Sequence, residues 1–427
     1  MRGSMPISHY MLAATAEKLY IVAQISDRRS FLSYCVSGQM QEEDKILNFK
    51  FNAEKGIINT GNTDEIKCIM KKAMNGEKLV ISFIGGSITQ GCNSLLPTTC
   101  YAYLIYEWWK KTFPKAEFAY LNGGIGGTTS QFGVARVEED VLADRPDFLI
   151  VEFSVNDDAT DHFMETYEGL IRRILRSKKA PAVLILNNVF YDDGRNAQEQ
   201  HAAIAKTYSI PCLSMKNTVY QEILEGNIQK RDITEDDLHP NDAGHALIAK
   251  LAIHFLEGVL TEIKKEISQD LPIENKTISQ IPDAVTQNRY ENSIRNQNNN
   301  SSPILNGFAA DMTPQNDIRE IFRHGWTADK KGSSITFELN ASCIAVQYRK
   351  TISRPAPIAI AILDGDEKNA IILDANFQED WGDSLHIDTV LEHEEEKMHT
   401  LEIRIEETHE GDKVPFYLTS VISSYKN

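Results

Sequence analysis

From Asn62 onward, short apolar runs alternate with segments whose apolar residues recur every three or four positions. The runs at 79–84, 117–121, 148–153, 182–187 and 210–214 are rich in Val, Ile, Leu and Phe and are bounded by turn residues, so they predict strands buried on both faces. Between and after them, helices are predicted at 98–111, 130–143, 160–177, 197–208 and 241–260. The stretch "NTDEIKCIMKKAMNGE" adds another, opened by a cap at Asn62 or Thr63, stopped at Gly76, and feeding the first strand. Strand and helix in strict alternation make a parallel sheet with helices on both faces, a three-layer α/β/α sandwich over residues 62–262.

The period then changes. Residues 263–303 are polar and asparagine-rich, with little apolar periodicity, and read as a linker. Beyond them, "SSITFEL", "CIAVQYR", "IAIAILD", "HTLEIRIEE" and "PFYLTSVIS" alternate with period two between charged or Gly-containing turns, which predicts an all-β sandwich or jelly roll over 304–427. Residues 1–61 form an N-terminal extension in this reading. Its segment "KILNFKFN" also alternates, so a strand at 46–51 is expected, lent to the second domain. No internal repeat is visible.

A chain of 427 residues is long for one core, which agrees with two domains. Its 44 basic and 61 acidic residues give a net charge of −17, which repels nucleic-acid phosphates and anionic membrane surfaces. A neutral partner fits better. Six cysteines lie scattered without a CxxC pair, which suits a reducing compartment and argues against structural zinc. The opening "MRGS" looks like an expression-vector remnant, and "YMLAATAEKLYIVAQ" carries Glu17 and Lys18 where a signal core or a membrane span would be uncharged. A cytoplasmic location is the expectation.

Four segments with chemical potential fall at predicted strand ends, where open α/β sheets gather their sites. "ISFIGGSITQG" leaves its strand on Gly85 and Gly86 and presents Ser87. "NGGIGGTTS" is rich in glycine, which lets backbone N–H groups approach a ligand. "VEFSVNDD" ends a buried strand near Asn156, and "DDLHPNDAGH" sets Asp236 three residues before His239. A serine hydroxyl needs a base to become a nucleophile, and histidine oriented by a carboxylate is the base suited to neutral pH. Asp236, His239 and Ser87 could form that relay, with oxyanion donors from the Ser87 and Gly127 backbone and the Asn156 side chain; one such donor is worth about 3 kcal/mol in the transition state. Singly, each residue has a plainer role: Ser87 as a helix cap, Asn156 as a turn former, His239 as the lead-in to a helix. Other site types lack their marks. "GIGGTT" misses the last glycine of a dinucleotide fingerprint, no GK[ST] or HExxH occurs, "GGSIT" lacks the trailing glycine of an α/β-hydrolase elbow, and His239 with His245 has no third ligand.

Taken together, "GGSIT", "GIGGTTS", "SVNDD" and "DDLHP" resemble, in order, the four blocks of the SGNH hydrolases, or GDSL esterases, over roughly residues 77–260. The resemblance implies a flavodoxin-like α/β/α fold, a Ser87–His239–Asp236 triad, an oxyanion hole from Ser87, Gly127 and Asn156, and no cofactor or metal. Two positions depart from the family pattern: Gly86 stands where an acidic residue is usual, and Ser154 where a glycine is usual.

A β-sandwich behind such a domain resembles the bacterial esterases that deacetylate plant glycans such as mannan or xylan, the sandwich being of carbohydrate-binding-module type. That resemblance implies an acetylated oligosaccharide as substrate. Trp326 in "RHGWTA" and Trp381 in "NFQEDWGDS" are candidates to stack on sugar, or else core residues; of Trp108 and Trp109 on one helix, at least one is expected in the core. No long apolar lid of lipase type is present. A thioesterase or lysophospholipase, and an inactive glycan-binding protein, stay as alternatives, and the reading leaves room for a homo-oligomer.

Overall fold

In the computed structural model the chain is described over residues 49–269 and 281–426. It divides into two units at Ser293, with Ile294–Tyr425 forming the second.

The first unit is built on a six-stranded sheet. Its strands are β1 (Ile57–Asn59), β2 (Lys78–Gly85), β3 (Glu117–Gly124), β4 (Phe148–Glu152), β5 (Ala182–Asn187) and β6 (Cys212–Ser214), in the order β1-β6-β5-β4-β2-β3. All neighbours pair in parallel except β1, an edge strand antiparallel to β6. The helices are α1 (Asp64–Met74), α2 (Ser87–Gln90), α3 (Tyr101–Thr112), α4 (Ser130–Asp140), α5 (Asp161–Leu175), α6 (Gln198–Thr207), α7 (Val219–Leu224), α8 (Lys230–Ile233) and α9 (Asp242–Ser268). Strands β4 and β5 are buried at every position, because helices cover both sides of the sheet. Trp109 of α3 packs on Phe113 and Phe148 in the core, and Trp108 lies at its margin. The α/β/α architecture expected from the alternation is the one observed.

Two segments differ from expectation. Residues 46–48 of the expected N-terminal strand lie outside the described residues; residues 49–52 form no strand, and Phe49 and Phe51 pack on the α/β core. The polar stretch after α9 is also more than a tether. Over 281–293 it lies against α5: Glu291 pairs with Arg172 at 2.8 Å, both buried, Glu168 accepts the Val285 and Thr286 N–H groups, and Tyr290 is 2% exposed. Burying charge is tolerated here because each carboxylate is paired or hydrogen-bonded.

Strand β4 ends on Glu152, whose carboxyl is fully buried. Burial pushes it up to about 7, against the hydrogen bonds from Ser154 and Thr89 and the nearby Asn188 amide, which pull it down. An unfolded glutamate loses its proton near 4.5, so between there and about 7 the folded chain holds a proton the unfolded chain has released. Stability therefore falls as pH rises across that window. Glu152→Gln removes the effect: the urea midpoint of wild type relative to the variant is expected to decline from pH 4.5 to 7. A constant difference would show that Glu152 ionises at its ordinary value.

The second unit is all β. It contains β7 (Ile294–Asn296), β8 (Ile304–Asn306), β9 (Ala309–Ala310), β10 (Trp326–Ala328), β11 (Ser334–Ala341), β12 (Cys343–Lys350), β13 (Ile358–Leu363), β14 (Ile371–Asp374), β15 (Ser384–Leu391), β16 (Lys397–Glu407) and β17 (Phe416–Ser424). One sheet runs β15-β12-β17-β10-β9, with β7 also on β17, and the other β14-β13-β16-β11-β8. Pairing is antiparallel throughout these strands, and Ile335, Phe337, Val346, Leu401, Ile403 and Leu418 meet in one hydrophobic core. This is the sandwich that the period-two runs predict.

Candidate active site

Ser87 opens α2 immediately after the β2 turn. Its hydroxyl caps nothing: the position before the helix is Gly86, and no side-chain cap bond is made. Instead the hydroxyl lies 2.9 Å from His239 Nε2. Gly86 leaves room for the Asn156 amide, since a Cβ there would stand 2.0 Å from Asn156 Oδ1. A side chain at the position before Ser87 would displace the Asn156 amide from this placement, which fits one departure from the family pattern.

His239 sits in the loop between α8 and α9. Its Nδ1 is 2.6 Å from Asp236 Oδ2, and Asp236 Oδ1 accepts the backbone N–H of His239 at 2.7 Å and of Leu238 at 3.1 Å. The carboxylate therefore shapes the turn and orients the ring at once. With its hydrogen on Nδ1 facing the carboxylate, the ring presents Nε2 as an acceptor for the Ser87 proton. Burial alone would raise the Asp236 pKa, but the ring and backbone hydrogen bonds outweigh it and hold the carboxyl well below its ordinary value. Asp237 turns away, with φ of 68°, and pairs with Lys230 at 3.0 Å and Arg231 at 2.5 Å. An antiparallel bridge between Thr234 and Pro240 closes the loop, and the Asn241 side chain caps α9 through the Gly244 N–H.

The glycine loop after β3 lies beside Ser87, for a Cβ on Gly126 would be 3.7 Å from Ser87 Cβ. Gly127 has φ of 67°, a left-handed conformation that glycine adopts without strain. The Gly126 N–H is taken by Gln90 Oε1 at 2.6 Å, whereas the Gly127 N–H meets no acceptor among the described residues. Gln90 thus decides which amide of the loop stays available. Downstream, Ser130 N–H donates to Asp157 Oδ1 at 2.8 Å, tying this loop to the turn that carries Asn156. The Asn156 amide lies against Gly86 on the other side.

Asp236 is therefore hydrogen-bonded to His239 and His239 to Ser87, and the loop of Gly126 and Gly127 and the Asn156 amide lie beside the Ser87 turn. His245 does not join them. Buried on α9, it accepts the Tyr101 N–H and donates to the Cys92 carbonyl, and burial pushes its pKa down to about 4. The sequence reading missed Gln90; its signal is a polar residue three positions after Ser87, one turn along the same helix.

The two tryptophans of the second unit part ways. Trp326 is 1% exposed and packs edge-on to Phe337 in the sandwich core, so it has no face for a sugar; apolar burial wins over display. Trp381 is 40% exposed, standing edge-on to Phe377 with its ring N–H on the Glu379 carboxylate, and keeps an exposed face.

Residues 83–247 match the GDSL-like lipase/acylhydrolase family. A crystal structure of a two-domain esterase active on acetylated mannans, co-crystallised with mannopentaose, is 53% identical, with a TM-score of 0.84 over 89% of this chain and 99% of that one. A second crystal structure of a two-domain esterase active on acetylated mannans is also 53% identical, with a TM-score of 0.84 over 88% of this chain and 100% of that one. An acetylxylan esterase of Geobacillus stearothermophilus is 27% identical over 208 residues, 42% of this chain and 93% of that enzyme. By its blocks, its fold and a full-length relative at 53% identity, the chain belongs to the GDSL-like lipase/acylhydrolase family, the SGNH hydrolases.

Proposed function

We propose that this protein is a serine esterase that removes O-acetyl groups from oligosaccharides of acetylated mannan, with acetylated xylan as the neighbouring substrate class. The chemistry is supported by one observation above others, the unbroken hydrogen-bonded line from Asp236 through His239 to Ser87. The glycan class is supported by likeness at 53% identity, over 89% of the chain, to an esterase active on acetylated mannans.

In this reading His239 Nε2 takes the Ser87 proton as Ser87 Oγ bonds to the acetyl carbonyl carbon. The carbonyl electrons move to oxygen, and the oxyanion is met by the Ser87 and Gly127 N–H groups and the Asn156 amide. Collapse breaks the bond to the sugar oxygen, which leaves with the proton from His239. Water, deprotonated by the same imidazole, then attacks acetyl-Ser87; collapse breaks the bond to Ser87 Oγ, which takes the proton back from His239 as acetate leaves. Trp381 is the residue of the second unit that we assign to sugar contact. Among the described residues no helix is long and apolar enough to cross a membrane. Among the described residues, Cys68, Cys92, Cys100 and Cys212 are in no disulfide, which suits the cytoplasmic setting we infer.

Acetate release from acetylated mannooligosaccharides and xylooligosaccharides, compared with hydrolysis of long-chain esters, tests the assignment. Release from the mannooligosaccharides with the highest kcat/KM is expected. Cleavage of long-chain esters without acetate release from either glycan would overturn it in favour of a thioesterase or lysophospholipase.

A further inference from the structure

Glu152 is a fully buried carboxyl that the mechanism above leaves unused. It is the strand neighbour of Gly85, two residues before Ser87. Its Oε2 lies 3.4 Å from the Thr89 hydroxyl, which belongs to the helix of Ser87 and also reaches the Tyr101 hydroxyl at 2.8 Å. Its Oε1 accepts the Ser154 N–H and hydroxyl, each at 3.2 Å, and that hydroxyl is also 3.1 Å from the Asn188 carbonyl. Ser154 stands two residues before Asn156. One side chain thus touches both the element that carries Ser87 and the turn that carries Asn156. The groups acting on it are hydroxyls, an amide and phenols, from Thr89, Ser154, Asn188, Tyr101 and Tyr167. None of these supplies a counter-charge, and a buried carboxylate without one is costly, so a neutral acid suits the place.

We propose that Glu152 is a positioning residue of the oxyanion hole, holding the helix of Ser87 to the turn of Asn156 through Thr89 and Ser154. The inference rests on the esterase reading above. It also gives Ser154 a role: where the family pattern has glycine, this chain adds a hydroxyl that strengthens the tie. Loss of the tie lets two oxyanion donors drift apart, and a displacement of about 1 Å in such a group costs roughly a hundredfold in rate.

The test is steady-state kinetics on a chromogenic acetate ester for wild type, Glu152→Ala, Glu152→Gln, Ser154→Ala, Asn156→Ala and the Glu152→Ala/Asn156→Ala double variant. Glu152→Ala is expected to lower kcat by about tenfold or more with KM within about twofold, and Glu152→Gln, neutral and of the same shape, to stay within about threefold of wild type. Ser154→Ala shows a smaller loss of the same kind. On the Asn156→Ala background, Glu152→Ala costs less than about threefold, because the donor it positions is gone. An unchanged kcat in Glu152→Ala, an undiminished loss on the Asn156→Ala background, or a Glu152→Gln variant as slow as the alanine would each overturn the proposal. Should Glu152→Ala fail to fold, Ser154→Ala with and without Asn156→Ala makes the same comparison. An inactive wild type would instead overturn the esterase reading itself.

Discussion

Ser87→Ala is expected to lower kcat on an acetate ester by roughly five to six orders of magnitude and leave the melting temperature almost unmoved. Both halves follow from what the hydroxyl touches. It makes no cap bond to α2 and its partner is His239 Nε2, so on the proposed mechanism removing it deletes the nucleophile while taking from the fold only that one hydrogen bond within the site. A structural serine at this turn would give the reverse, a lower melting temperature and intact turnover. Steady-state kinetics beside thermal unfolding of the same preparation separates the two. On the proposed mechanism, the rate that survives measures what the oxyanion donors and substrate binding supply by themselves.

Asp236→Asn is expected to lower kcat by about four orders of magnitude, although it changes one atom. The orientation of the new amide is dictated by the turn. Asp236 Oδ1 accepts the Leu238 and His239 N–H groups, so the asparagine carbonyl must take that place and its NH2 must face His239 Nδ1. A donor there drives the ring hydrogen to Nε2, where it meets the Ser87 hydroxyl and blocks proton transfer. Four powers of ten correspond to about 5 to 6 kcal/mol of transition-state stabilisation. The turn keeps its backbone bonds, so the expected fold stability is close to wild type. A loss of less than about tenfold would mean that His239 is oriented by something other than this carboxylate.

The parts legible in the sequence are those that local pattern encodes. Buried parallel strands need apolar side chains on both faces, so 148–152 and 182–187 stand out as runs. The residues around Ser87 stand out because four blocks occur in order, not because any one of them is distinctive. Glu291 shows where pattern stops informing. In a polar stretch it reads as solvated, yet it is buried by Arg172, 119 residues away, and no local signal announces that partner. Trp326 is open between display and core in the sequence, because its neighbourhood is loop-like; three residues of pairing with β17 carry the ring into the core. Gly86 is explained only in three dimensions, by the amide of Asn156 lying against it. Glu152 likewise looks like a strand end until Thr89 and Ser154 are seen to meet on it.

The most direct measurement is rapid quenching of the enzyme during turnover of an acetylated mannooligosaccharide, with the modified peptide identified by mass spectrometry. The account predicts one acetyl group on Ser87, formed within the first turnover and absent in Ser87→Ala. Acetate released at the wild-type rate with no acetyl group on Ser87, or with the group on another residue, would contradict it.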